Sequence, residues 1–81
     1  MFYTYILESL KDGSYYIGST QNVEERLFEH NCGNTTYTKL KRPWKLVYKE
    51  DYNTRSEAII RERYLKKLRN KKYIHNVIMG L

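Results

Sequence analysis

Two runs near the start of the chain carry strand-type patterning, and helical periods follow. Tyr3-Thr4-Tyr5-Ile6-Leu7 and Tyr15-Tyr16-Ile17-Gly18-Ser19 are tyrosine-bearing stretches of good strand formers. Asp12-Gly13 between them is a strong tight-turn signal, so a hairpin is predicted over roughly Phe2–Leu10 and Tyr15–Ser19. With Lys11–Ser14 as its loop, Leu10 would pair with Tyr15 and Ser9 with Tyr16. Successive side chains point to opposite faces of a strand, which sends Tyr5, Leu7, Ser9 and Tyr16 to one side. Two phenols then share a face.

A helix is expected next, with Asn22 as its N-cap and Glu25 three residues on. It should run to His30 or Asn31, where Asn31-Cys32-Gly33-Asn34 supplies a stop. Gly33 to Arg42 is rich in Thr, Asn and Lys and reads as an exposed loop. Trp44–Tyr48 alternates as a third strand, with Trp44, Leu46 and Tyr48 on one face. Pro43 stands where a strand tolerates proline, at its first position. Thr54-Arg55-Ser56-Glu57 is a second capping box and opens a helix over Arg55–Leu68. Ala58, Leu65 and Leu68 form its buried stripe, widened by Ile60 and Tyr64. Ile74, Val77, Ile78 and Leu81 have the spacing of a short amphipathic helix that docks back on the core. The fold class is α+β: a small three-stranded antiparallel sheet flanked by helices.

Eighty-one residues predict one small domain with a thin core. No apolar run approaches membrane-spanning length, and the N-terminus lacks the layout of a signal peptide. Cys32 is the only cysteine, which excludes an internal disulfide and a cysteine-based zinc cluster. A cytoplasmic protein is expected.

Charge adds a partner. Fifteen Lys and Arg against nine Asp and Glu leave a formal charge of +6, and clustered cations gain affinity by displacing counterions from phosphates. Solubility alone would also account for a basic chain, but the distribution favours a polyanion. Lys39, Lys41, Arg42 and Lys45 gather around Pro43-Trp44, and Lys66, Lys67, Arg69, Lys71 and Lys72 form a second group. Tyr37, Trp44 and Tyr73 interleave with them, as a surface that stacks on bases requires.

Three residues border apolar stripes where aliphatics would pack better. Arg26 and His30 are four apart and share a helix face next to Val23 and Leu27, placed to look into a cleft between helix and sheet. The plainer reading has Arg26 snorkelling and His30 satisfying the helix C-terminus. Glu62 lies four residues after Ala58 and three before Leu65. A carboxylate there needs a cation, which could be a metal ion, Arg26 or a lysine.

Taken together, the tyrosine hairpin, the Arg-x-x-x-His helix and the later helical Glu resemble the GIY-YIG endonuclease superfamily. Tyr3-Thr4-Tyr5 stands for the GIY block and keeps only its tyrosine, whereas Tyr16-Ile17-Gly18 is literal. Arg26 and His30 match the family's helix motif, and Glu62 matches its metal-binding glutamate. Arg42–Tyr48 is similar to the third strand of the small stand-alone members, and the chain as a whole is similar to the N-terminal nuclease domain of the ABC excinuclease.

The resemblance implies a divalent-metal-dependent endonuclease that hydrolyses phosphodiester bonds in DNA, in repair or recombination. It implies Tyr5, Tyr16, Arg26, His30 and Glu62 as catalytic residues, with Mg²⁺ or Mn²⁺ on Glu62. Arg26 would clamp the developing phosphate charge, and Tyr5, Tyr16 or His30 would activate water. A phenol is only about one-thousandth ionised at neutral pH, so a tyrosine base needs help from nearby cations. Tyr37, Lys39, Lys41 and Arg42 would contact the nucleic acid, DNA or RNA. Two alternatives stand beside this: a nucleic-acid-binding module with little cleavage that acts with a partner, and a purely structural domain whose tyrosines pack the sheet.

Overall fold

The computed structural model describes residues 1–81. Strands β1 (Phe2–Ser9), β2 (Tyr15–Thr20) and β3 (Trp44–Tyr52) form one antiparallel sheet in the order β2-β1-β3. Helices α1 (Val23–Cys32) and α2 (Thr36–Lys39) lie in chain order between β2 and β3, and α3 (Arg55–Leu68) and α4 (Lys71–Met79) follow β3. No helix is long and apolar enough to cross a membrane.

Strand alternation divides the core in two. Tyr5 and Leu7 pack with Trp44 and with Val23 of α1 on one face of the sheet. Ile6 and Ile17 pack with Leu65 of α3 and Ile74 of α4 on the other. The central strand β1 is therefore buried on both sides. Complete burial of Ile6, Leu7 and Leu65 is worth about 2 kcal/mol each, and it fixes which element covers which face.

The hairpin differs from expectation in register but not in sidedness. Leu7 faces Tyr16 and Glu8 faces Tyr15, so Tyr16 meets Leu7 where Ser9 was expected. Leu10 is exposed and belongs to the turn. The Ser9 hydroxyl accepts from the Lys11 and Asp12 amides, and the Gly13 amide donates to the Ser9 carbonyl. These bonds close a wider loop than Asp-Gly alone suggests. Opposed positions still have the same parity, so Tyr5, Leu7, Ser9 and Tyr16 share a face as expected.

In α1 the Asn22 side chain accepts from the Glu25 amide, and the helix ends at Gly33 in a left-handed conformation. Only half of the capping box forms, because the Asn22 amide donates to Thr20 Oγ1. The segment expected as loop contains α2, which its polar composition conceals. A bond from the start of β3 helps hold it: Trp44 Nε1 donates to the Thr38 carbonyl.

Strand β3 runs four residues beyond the expected end, and a register shift opposite Ile6/Leu7 leaves Val47 unpaired. The bulge turns Tyr48 to the Ile6 face, opposite Trp44 and Leu46, contrary to simple alternation. Helix α3 has the expected bounds and a reciprocal Thr54–Glu57 capping box. Its stripe is narrower than expected. Ile60 and Tyr64 are exposed, because each lies about 100° or more around the helix from the line of Ala58 and Leu65. Leu81 is 90% exposed, since Gly80 ends α4 before it.

Candidate active site

Tyr5 stands opposite Gly18, the glycine of the literal Tyr16-Ile17-Gly18 block. Its ring crosses that glycine so closely that a β-carbon there would come within 2.6 Å of the phenolic oxygen. The missing side chain thus makes room for the tyrosine. Tyr5 is 1% exposed, and its hydroxyl lies 3.2 Å from His30 Nε2.

His30 reaches this point from α1 and is fully buried. Its Nδ1 is 2.8 Å from Thr38 Oγ1, and that hydroxyl is directed at the Thr35 carbonyl at 3.4 Å. Assigning hydrogens from this network gives one consistent chain. Thr38 donates to Thr35, His30 Nδ1–H donates to Thr38, and Nε2 accepts the Tyr5 proton. Burial, with the Arg26 charge, pushes the imidazole below its ordinary 6.5 and keeps it neutral.

Tyr16 lies on the same face, half-buried, with its ring centroid 4.7 Å from that of His30 and 6.4 Å from that of Tyr5. Burial pushes the Tyr5 phenol up to about 12; Tyr16 and Glu62 push the same way, and Arg26 opposes them. Both phenols border the His30 imidazole. Arg26 is held at 3.1 Å by Glu29, not by Glu62, and is partly open to solvent.

Glu62 arrives from the opposite face of the sheet. Its Oε1 accepts from the Ser19 hydroxyl at 2.7 Å, and its Oε2 pairs with Lys66 at 2.7 Å. Ser19 and Tyr16 point to opposite sides of β2, which is an edge strand. The site therefore wraps around the open edge of the sheet. The donor set suits a hard cation that keeps most of its waters: one carboxylate at the rim, satisfied by a hydroxyl and by a half-exposed ammonium that can swing away.

The expected nucleic-acid contacts divide. Tyr37, 63% exposed in α2, stands beside Tyr16 with centroids 6.0 Å apart, and the Lys41 ammonium lies 5.8 Å from the Tyr37 ring. Lys39 and Arg42 lie against Gly33 at the C-terminus of α1, where a cation also suits the helix dipole. Trp44 is buried, so it cannot be the stacking surface that the charge pattern suggested. Thr38 and Ser19 were not expected at the site, and Lys66 was expected only within the second basic group. Lys66 alone left a trace, four residues after Glu62 on one helix.

Residues 1–74 match the family model described as the GIY-YIG catalytic domain, and the chain belongs to this family. Membership implies nuclease activity in general terms, and nucleases of this family generally use divalent metals. Among its relatives are the stand-alone proteins called UPF0213. One from Staphylococcus saprophyticus is 40% identical over 79 residues, covering 96% of this chain and 95% of the relative. One from Clostridium perfringens is 49% identical over 74 residues, covering 89% and 78%. The solution NMR structure of a UPF0213 protein from Bacillus halodurans superposes with a TM-score of 0.59 at 36% identity, over 98% of this chain and 85% of that one.

Proposed function

We propose that residues 1–81 act as one nuclease domain, a divalent-metal-dependent endonuclease that hydrolyses phosphodiester bonds in DNA, in cytoplasmic repair or recombination. Tyr5, Tyr16, Arg26, His30 and Glu62 are its catalytic residues. One observation carries this reading: the Tyr5 hydroxyl lies 3.2 Å from His30 Nε2, and the Tyr16 ring stands 4.7 Å from that same imidazole on one face of the sheet.

Glu62 would hold Mg²⁺ or Mn²⁺, which supplies charge neutralisation at the phosphate and the leaving oxygen when bound. Arg26 donates charge-assisted hydrogen bonds to the same phosphate and stays charged throughout, with Glu29 fixing its position. Tyr16 is the phenol that solvent reaches more readily, and it orients the attacking water. A free Tyr5 phenolate is not needed. As the Tyr5 oxygen takes a proton from the water, its own proton passes to neutral His30 Nε2. The resulting imidazolium keeps its bond to Thr38. This removes the difficulty posed by a phenol held near 12. Tyr37, Lys39, Lys41 and Arg42 contribute contacts to the nucleic acid.

Incubation with nicked and branched DNA plus Mg²⁺ or Mn²⁺ tests the reading. Cleavage should fall by roughly 10²-fold or more in Glu62→Gln. Products that persist undiminished in that variant would overturn it. The Lys66–Glu62 pair favours one second reading, a module that binds nucleic acid and leaves cleavage to a partner. Salt-dependent binding without products from any of these substrates would support that module instead.

A further inference from the structure

A groove of about 550 Å³ crosses the edge of β2 beside the catalytic cluster. Its floor is apolar, made by Ile17, Leu65 and Ile74, and tyrosine rings from β2 and α2 wall it. Three cations line it: Lys66, Arg69 and Lys71, with no carboxylate among the lining residues. Arg69 and Lys71 form no ion pair; the Lys71 ammonium lies 5.5 Å from the Tyr15 ring centroid.

We infer that this groove is a subsite for one unpaired nucleotide of the substrate strand, next to the phosphate that is cut. The inference rests on the nuclease reading only for that last clause. An apolar floor with aromatic walls suits the face of a base, and unpaired cations suit its phosphate. The volume lies within the roughly 300–1,000 Å³ of small-ligand sites. A paired base offers neither face, because its neighbours in the duplex already cover both. Two residues join the groove to the catalytic cluster. Tyr16 lines both, and Lys66 lines the groove while bonding to Glu62.

Arg69 adds a separate indication. It is the one non-glycine residue of the chain with positive φ, at 50°, and it occupies the C-cap of α3. Glycine is the residue favoured in that conformation. An arginine there sets a cation into the groove against the backbone preference, a pattern associated with functional positions.

The test is fluorescence anisotropy of a labelled blunt duplex and of the same duplex with a short overhang, in deoxy and ribo forms, without divalent metal. The overhang should bind about tenfold tighter. Arg69→Gly should reduce that preference to about twofold, whereas Lys67→Ala, which removes an equal charge outside the groove, should keep it. Arg69→Gly should melt no lower than the parent, because glycine suits the left-handed cap. Lys71→Ser provides an independent loss of groove charge and should also reduce the preference. A preference in either sugar form supports the subsite, and the stronger form names the substrate. Equal affinities, or a preference untouched by both groove variants, overturn it. Glu62-dependent cleavage without any overhang preference would sink the subsite alone, whereas a preference without such cleavage would sink the nuclease reading alone.

Discussion

The Tyr5 ring lies across Gly18, its partner on the neighbouring strand, with 2.6 Å between the phenolic oxygen and the position a β-carbon would take. The glycine of the Tyr16-Ile17-Gly18 block is thus a space requirement of the tyrosine one strand away. The same ring placement brings the hydroxyl to His30.

Gly18→Ala should therefore displace the Tyr5 ring. We expect a stability loss of about 1–3 kcal/mol from overpacking, read by urea unfolding. Adding Tyr5→Leu should recover part of that loss without restoring cleavage, since the two sites share one contact and cannot act additively. A Gly18→Ala protein with parental stability and activity would contradict the close approach.

Tyr5→Phe keeps the ring and removes only the proton donor to His30 Nε2. Stability should fall by about 1 kcal/mol, the cost of one lost buried hydrogen bond. Single-turnover cleavage should fall by roughly 10²–10⁴-fold, the span of general acid–base assistance. Unchanged cleavage would take Tyr5 out of the proton path.

Acid should destabilise the protein in two stages. His30 has its folded value pushed below 6.5 by burial and Arg26, so as pH falls below 6.5 the unfolded chain binds a proton that the folded one refuses. Stability present above 6.5 is then lost progressively down to the folded value. Glu50 behaves likewise at lower pH. Burial alone would raise its carboxyl, but bidentate bonds from Arg61 and the Tyr48 and Tyr52 hydroxyls outweigh burial and hold it below 4.5. Melting temperatures should decline between pH 7 and about 3, a window that reaches below the ordinary carboxyl value of Glu50, and His30→Asn should flatten the part just below 6.5. The pH profile of single-turnover cleavage should show an acid limb with an apparent pKa under 6.5, because a protonated imidazole can no longer accept the Tyr5 proton.

Lys66→Ala frees one oxygen of Glu62 from a half-exposed ion pair. Exposed pairs of this spacing are worth about 0.3–0.5 kcal/mol, so Mn²⁺ should half-saturate the variant at about a twofold lower concentration, measured by calorimetry. An unchanged midpoint would argue that Glu62 is not the metal ligand.

Much of this arrangement was legible along the chain because periodicity is a local property. Asn22 and Thr54 each cap a helix through side chains three residues from their partners, and such contacts survive any uncertainty about the rest of the fold. The shared face of Tyr5 and Tyr16 was equally robust, since an even change in register leaves strand parity untouched. Tyr48 failed for the complementary reason. One bulged residue inverts parity, and nothing in Trp44–Tyr48 marks where a partner strand will force it.

The sequence by itself determined that three strands and three of the four helices form, that Tyr5 and Tyr16 share a face, and that Arg26 and His30 share one side of a helix, all of which follow from backbone geometry over a few residues. Only the tertiary structure decided that Thr38 orients His30, that the Tyr5 ring needs Gly18, and that Glu62 bonds to Ser19 on the edge strand β2. Those relationships join residues 8 to 43 positions apart. They are set by which apolar faces cover each other, and no local repeat in the chain records that choice.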